Sequence, residues 1–332
     1  MAAESVEDIE SFLWAKVKAL KPIKIICRYV ERDFAMSWSI ATLKRRLREF
    51  GITYYRSESP DDVRRAVQGS NWVWSLDGWD KLKEFDIYVY GGIDTFSRRL
   101  LWLHAFTSNR DPYIVAKYYF QFVCSEKVIP RRTRTDYGRE ATIIAQCQTF
   151  FRRNHGDDYA FSRSHQYGPS TLNQTIESWW SRQRKLNSQY WMDELKELVE
   201  DGLWEKHNVI DRWCLLYTYL PLFERELQEL LGDYNSHKIR KQRGKQRPDG
   251  VPEDMFHFPE MYGGSEMGYA PLPQDLEEID RQFNLSEPLP RFVPNAVQLL
   301  CDEWCQRNCA QISIRNACTI YTRLRCYVNS NM

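Results

Sequence analysis

Two strand-like segments lie almost back to back in this 332-residue chain, and they constrain its fold more than any other feature. Asp86 to Ile93 (DIYVYGGI) and Leu100 to Phe106 (LLWLHAF) are rich in β-formers, and only the turn-forming stretch Asp94 to Arg98 separates them. That pattern predicts two consecutive strands joined by a short turn. Asn71 to Leu76 predicts a short buried strand before them. Helical spacing of apolar residues follows over Pro112 to Val123, then a fourth strand over Pro130 to Thr135 and a helix over Arg139 to Arg153. A short fifth strand over Tyr159 to Ser162 and a long polar-aromatic helix over Leu172 to Leu186 complete the order βββαβαβα. An α/β fold follows, with a mixed five-stranded sheet flanked by helices. The order is that of the ribonuclease-H-like fold.

The flanking regions read as helical. Ser5 to Leu20 and Ile23 to Phe34 predict two helices, with Pro22 between them, and Ile40 to Phe50 predicts a third. Ser39 stands at its N-cap position, and Gly51 at its C-terminal stop. The expected organisation is a helical region over 1–68, a core over 69–205, a helical extension with a basic loop over 206–250, and a partly helical C-terminal region over 251–332.

Charge is unevenly spread, although the formal net charge is only +1. Seven basic residues stand against three acidic ones between Ile23 and Phe50, and His237 to Arg247 carries six Lys or Arg and no acid. Val251 to Pro288 reverses the sign, with nine Asp or Glu against Arg281 alone. Two basic segments make a nucleic acid the natural partner. The helix–turn–helix reading of 23–50 offers Thr42, Lys44, Arg45 and Arg48 to DNA; the alternative is an ordinary helical pair with a solvated face. The basic loop Lys238 to Arg247 reads as a nuclear-localisation signal, a DNA contact or a partnerless surface loop. No apolar run of about 18 residues indicates a membrane span. Nine scattered Cys and an acidic start without a signal-peptide pattern point to a reducing intracellular compartment, with the nucleus expected for a DNA partner.

Three acids stand where such a fold would gather them. Asp77 closes the first predicted strand, Asp136 follows the fourth, and Glu177 lies on the last core helix. Adjacent first and fourth strands would set the aspartates side by side, with a helix bringing Glu177 over them. Two Mg²⁺ or Mn²⁺ ions about 3.5–4 Å apart need hard oxygen donors and open positions for water and phosphate, and three carboxylates supply that. Their mutual repulsion would be relieved by the ions.

The motifs LDGWDKL (Leu76 to Leu82), GGIDTFSRRLLWL (Gly91 to Leu103), TDYGRE (Thr135 to Glu140) and NQTIESWW (Asn173 to Trp180) occur in this order. With them the chain resembles the DDE integrase/transposase superfamily, specifically the eukaryotic, transposon-derived integrase core domain. The separation of Asp136 and Glu177 is 41 residues, and the region His207 to Leu231 and the segment Phe258 to Gly264 share the resemblance. The resemblance implies metal-dependent DNA strand transfer, a metal-binding triad of Asp77, Asp136 and Glu177, and at least a dimer. Related sequences usually read TDxGTEN where this chain has Arg139 and Ala141. A host-retained, catalytically lapsed DNA-binding or scaffold protein is therefore the alternative.

Around the triad, Glu177, Trp180, Ser181 and Arg184 fall on one helical face with Lys185 adjoining, and Asn173 and Gln174 precede them. Asn173, Gln174, Arg184 and Lys185 are expected along the DNA backbone, as are Arg131, Arg132 and Arg134 near the second aspartate. Trp179 and Trp180 read as core. Asp80 reads as a loop-orienting residue, Asp94 as a hairpin cap, and Glu140 as a neighbour of the metal ligands or a helix-start cap. Cys301, Cys305 and Cys309 recur every four residues and read as a buried stripe rather than a zinc site.

Overall fold

A computed structural model describes residues 6–18, 23–50, 52, 68–169, 173–183, 188–241 and 248–332. The chain divides into two compact units, Met1–Asp61 and Asp62–Met332.

In the first unit, α1 (Val6–Lys18), α2 (Ile23–Phe34) and α3 (Ile40–Glu49) bury Ile9, Leu13, Ile26, Val30, Leu43 and Leu47 among themselves. The spacing of Leu43 and Leu47 turns one face of α3 inward and leaves Lys44, Arg45 and Arg48 exposed. Ser39 caps α3 by accepting from the Thr42 N–H at 3.1 Å, as expected. The Thr42 hydroxyl is itself engaged with Ser39 Oγ at 3.0 Å. Gly51 lies outside the described residues.

The second unit is built on a five-stranded sheet: β2 (Val73–Trp79), β3 (Tyr88–Asp94), β4 (Leu100–Phe106), β5 (Arg132–Thr135) and β6 (His165–Tyr167). A two-residue strand, β1 (Gly69–Ser70), pairs in parallel with β7 (Ser265–Glu266). The sheet order is β4-β3-β2-β5-β6, antiparallel across β4-β3-β2 and parallel across β2-β5-β6. The mixed five-stranded sheet and its order of elements agree with the sequence reading. Boundaries moved. The first core strand starts two residues later than expected and runs on to Trp79, so Asp77 lies within it. The last strand is at His165–Tyr167, because Phe161–Ser164 turns as a 3₁₀ helix.

Alternation along each strand feeds two helical layers. Trp74 and Leu76 face α4 (Pro112–Glu126) and α5 (Thr142–Phe151), whose Val115, Tyr119, Ile144 and Cys147 are fully buried. Trp79, Val89 and Ile93 face the opposite layer, in which α6 (Gln174–Gln183), α7 (Gln189–Glu200) and α8 (Val209–Ser236) pack. Further helices extend both layers. Phe256 of α9 (Pro252–His257) and Ile279 of α10 (Pro273–Phe283) join the first. Val297 of α11 (Asn295–Arg307) and Tyr321 of α12 (Ala317–Asn331) join the second. Cys301 is buried in this layer, Cys305 is half-buried, and Cys309 lies exposed beyond the end of α11. The three therefore do not form one buried stripe.

Strand β4 is an edge, which would expose unpaired backbone groups. Side chains of α8 cover it. The Asn235 amide accepts from Leu100 N–H at 2.8 Å and donates to Leu100 C=O at 2.9 Å. Gln228 donates to Leu103 C=O at 2.6 Å, and Glu224 accepts from Ala105 N–H at 2.6 Å. A helix from the region 206–250 thus completes the sheet. No described helix is long and apolar enough to cross a membrane.

A carboxylate cavity at one end of the sheet

The register of β2 on β5 pairs Val73 with Arg132, Trp74 with Thr133 and Ser75 with Arg134. Continuing it sets Asp136 beside Asp77. A cavity of about 460 Å³ opens there, lined by Asp77, Asp80, Asp136, Glu140 and Glu177. Trp180 and Ser181 line it from α6, and Lys81, Asn109 and Arg110 from the turn after β2 and the β4–α4 loop.

Helix α6 is seated on β2 by Asn173. Its Nδ2 donates to Leu76 C=O at 2.9 Å, Ser75 Oγ donates to its Oδ1, and its own carbonyl accepts from Glu177 N–H at 3.2 Å. The side chain is 2% exposed, and both ends of its amide are engaged. This corrects the expectation that it meets DNA: Asn173 fixes where Glu177 stands. Gln174, one residue on, is exposed. Arg184 and Lys185 lie outside the described residues, as does most of the basic loop. Of that loop Lys238, Arg240 and Lys241 are described, and all three are exposed.

Trp179 and Trp180 are buried, as expected. Trp180 does more than fill space: its indole N–H donates to Asp77 Oδ2 at 3.1 Å. Gly91, paired with Asp77 across β2–β3, makes the room, since a Cβ there would stand 3.3 Å from the Trp180 ring. The sequence hint was the Glu-x-x-Trp spacing on α6, which sets Trp180 on the Glu177 face.

Electrostatically the cavity is short of cations. The Asp77 carboxyl is pushed up to about 8, first by burial and then by the charges of Glu177 and Asp136. Glu140 is also raised, by burial first, then by Asp136, with which it shares a hydrogen bond. Among the described residues no ion pair reaches Asp77, Asp136, Glu140 or Glu177. Asp136 Oδ1 accepts from the Gly138 N–H at 3.0 Å. Hard oxygen donors, mutual repulsion and open space fit divalent cations. Among the described residues, no three such side chains converge closely enough to share one ion as they stand.

The other residues singled out from the sequence divide between the cavity wall and the frame of the sheet. Asp80 is on the cavity wall and pairs with Lys83 at 3.6 Å. Asp94 caps the hairpin, accepting from Ser97 N–H and Oγ and from Asn71 N–H at 2.7–2.9 Å. Arg132 and Arg134 are buried and donate to Gln166 of β6 at 2.9 and 2.7 Å, and Arg131 donates to the Tyr269 hydroxyl at 2.8 Å. Arg132 and Arg134 tie β5 to β6, Arg131 ties the Tyr269 segment to the start of β5, and none of the three lines the cavity. Asn109 and Arg110 were missed because nothing in a loop sequence tells which side chains return to the sheet end.

The family model described as integrase core domain matches residues 65–257, more than half of the chain. A search of curated proteins found no match.

Proposed function

The chain belongs to the integrase core domain family, and on that premise we propose that it is a polynucleotidyl transferase that cleaves and joins the phosphodiester backbone of DNA. The observation that carries the reading is the convergence of Asp77, Asp136 and Glu177 on one cation-poor cavity at the end of the sheet. Asp77 and Asp136 would hold two Mg²⁺ or Mn²⁺ ions between them, and Glu177 would complete the second. Bound there, the ions would activate a water or 3′-hydroxyl and stabilise the leaving oxygen.

The chain's own residues prepare that step. Trp180 orients Asp77 and favours its ionised form. Asn173 fixes the start of α6 and with it Glu177. The buried rings of Trp79 and Trp180 in the lining limit the water on their side of the carboxylates, which strengthens the hold on a cation. Lys44, Arg45 and Arg48 on the exposed face of α3 and Gln174 at the start of α6 are DNA-backbone contacts in this reading. Arg184 and Lys185 belong to it by sequence position. Joining two DNA ends calls for more than one active site, so the working form is a homo-oligomer, and a DNA substrate places the protein in the nucleus.

A nicking and strand-joining assay on labelled DNA with Mn²⁺ or Mg²⁺ tests this. The parent chain joins strands and Asp136→Asn does not. If neither reacts while both bind DNA, the catalytically lapsed DNA-binding protein replaces the enzyme.

A further inference from the structure

The cavity wraps around the end of β2. On one face α6 presents Glu177, Trp180 and Ser181; on the other the β4–α4 loop presents Asn109 and Arg110, with Lys81 following the strand. We propose that Arg110 and Lys81 grip the DNA backbone on the side of the cavity opposite α6, and that Asn109, seated over Gly78, holds Arg110 there. The inference rests on the reading of the cavity as a DNA-joining site.

The loop is short and anchored at both ends. It leaves β4 at Phe106 and enters α4 through Asp111, whose carboxylate accepts from Tyr113 N–H at 2.9 Å. Inside it, Ser108 Oγ accepts from Arg110 N–H at 3.1 Å. Asn109 reaches back to the sheet, its Nδ2 donating to Val89 C=O at 3.4 Å. It can do so because residue 78 is glycine: a Cβ there would stand 2.5 Å from Asn109 Nδ2. Arg110 therefore leaves a loop bonded to β3 and lying over Gly78, the residue after Asp77 on β2.

The charges of these side chains are unspent. Five carboxylates line the same cavity, yet among the described residues neither the Arg110 guanidinium nor the Lys81 ammonium forms an ion pair. Both side chains are exposed. Arg110 acts on Glu140 only through space, opposing the rise of its pKa. Metal ions would neutralise the carboxylates but leave the phosphates flanking the scissile one without partners. A guanidinium suits a phosphate through paired N–H donors, and an ammonium as a point charge. Placed opposite α6, the two cations would meet the strand on the far side from Glu177.

The alternative is that these cations merely dilute the repulsion among the acids. Salt dependence separates the two. Binding of a labelled duplex to the full chain is followed by fluorescence anisotropy over a range of salt, with Ca²⁺ present to hold the metal sites without cleavage. Removing one phosphate contact lowers the slope of log K against log salt by about 0.9. Arg110→Gln and Lys81→Gln should each show that loss, with affinity falling about equally on unrelated sequences. Arg110→Lys should keep the slope, and Asn109→Ala should keep it while weakening binding, since the charge stays but is released. Mn²⁺ binding to DNA-free Arg110→Gln, read by calorimetry, should persist and show the fold intact. Parent-like slopes in both Gln variants would overturn the proposal, as would a parent that does not bind DNA, which removes the enzymatic reading too. A parent that binds with these slopes but never joins strands would leave the grip standing and sink only the reaction.

Discussion

The two ends of the central sheet treat buried charge in opposite ways. At the N-terminal end of β5, Asp157 accepts from Arg152, which is fully buried, and from the Tyr269 hydroxyl at 2.9 Å. Its carboxyl is held down to about 2, below the usual range, by these bonds against the cost of burial. Tyr269 is held between the guanidinium of Arg152, 4.0 Å from its ring centre, and that of Arg131 at 5.4 Å. At the other end Asp77 is half-buried beside two more acids with no ion pair among the described residues, and its carboxyl rises to about 8. One end uses paired charge to fasten the segment around Tyr269 to the sheet. The other gathers carboxyls that form no ion pair among the described residues, which costs stability and is what the proposed metal site requires.

Four measurements test this contrast. The largest effect is expected for Asp77→Asn: strand joining should fall by roughly a thousandfold or more, the scale of losing a group that stabilises the transition state. Without metal and above about pH 4 the same variant should melt at a higher temperature than the parent, because a neutral amide carries neither the burial cost of the Asp77 carboxylate nor its repulsion by Glu177 and Asp136. A variant that both melts lower and joins strands would end the comparison.

Arg152→Ala should do the reverse, leaving the Asp157 carboxylate buried without its cation. The expected loss is about 3–5 kcal/mol in urea unfolding, and a loss under about 1 kcal/mol would show that the lock carries little stability.

The pH profile comes next. Asp77 has a folded-state pKa near 8 against an ordinary 3.8, so the folded chain keeps a proton that the unfolded chain releases between about 4 and 8. Its contribution to stability is present below about pH 4 and is lost as pH rises through 8. Asp157 has the opposite sign: its contribution is present above about pH 4 and lost as pH falls toward 2. Thermal melts of the metal-free chain should show the first component above pH 4, and Mn²⁺ should flatten it by competing with the proton. The component surviving unchanged in Asp77→Asn would assign it to another group.

The smallest effect is expected for Trp180→Phe. It keeps the ring but removes the N–H bond to Asp77, so joining should fall about tenfold, the equivalent of one hydrogen bond to a charged group. Unchanged activity would demote Trp180 to packing.

Much of this architecture was legible along the chain, and the exceptions have physical causes. Leu100 to Phe106 was readable to the residue, since its β-rich composition lies between clear turn signals. The last strand was not: His165–Tyr167 is short and polar, and it is a strand only because it bonds to β5. Asn173 looked like a residue awaiting phosphate, because a sequence shows an amide but not the Ser75 and Leu76 groups that absorb it. The Arg131, Arg132 and Arg134 run looked like a DNA contact for the same reason.

The order of elements, the family to which that order and its motifs belong, and three acids spaced to meet could all be read along the chain. Periodicity and local motifs carry that information, because they act between neighbours in the chain. Which other groups share the cavity emerges from the packed fold: Trp180 on Asp77, Asn173 under α6, Asn109 over Gly78 with Arg110 beside it. Those contacts join residues on separate elements, and whether a polar side chain is spent inside the fold or left for a ligand depends on partners that only packing supplies.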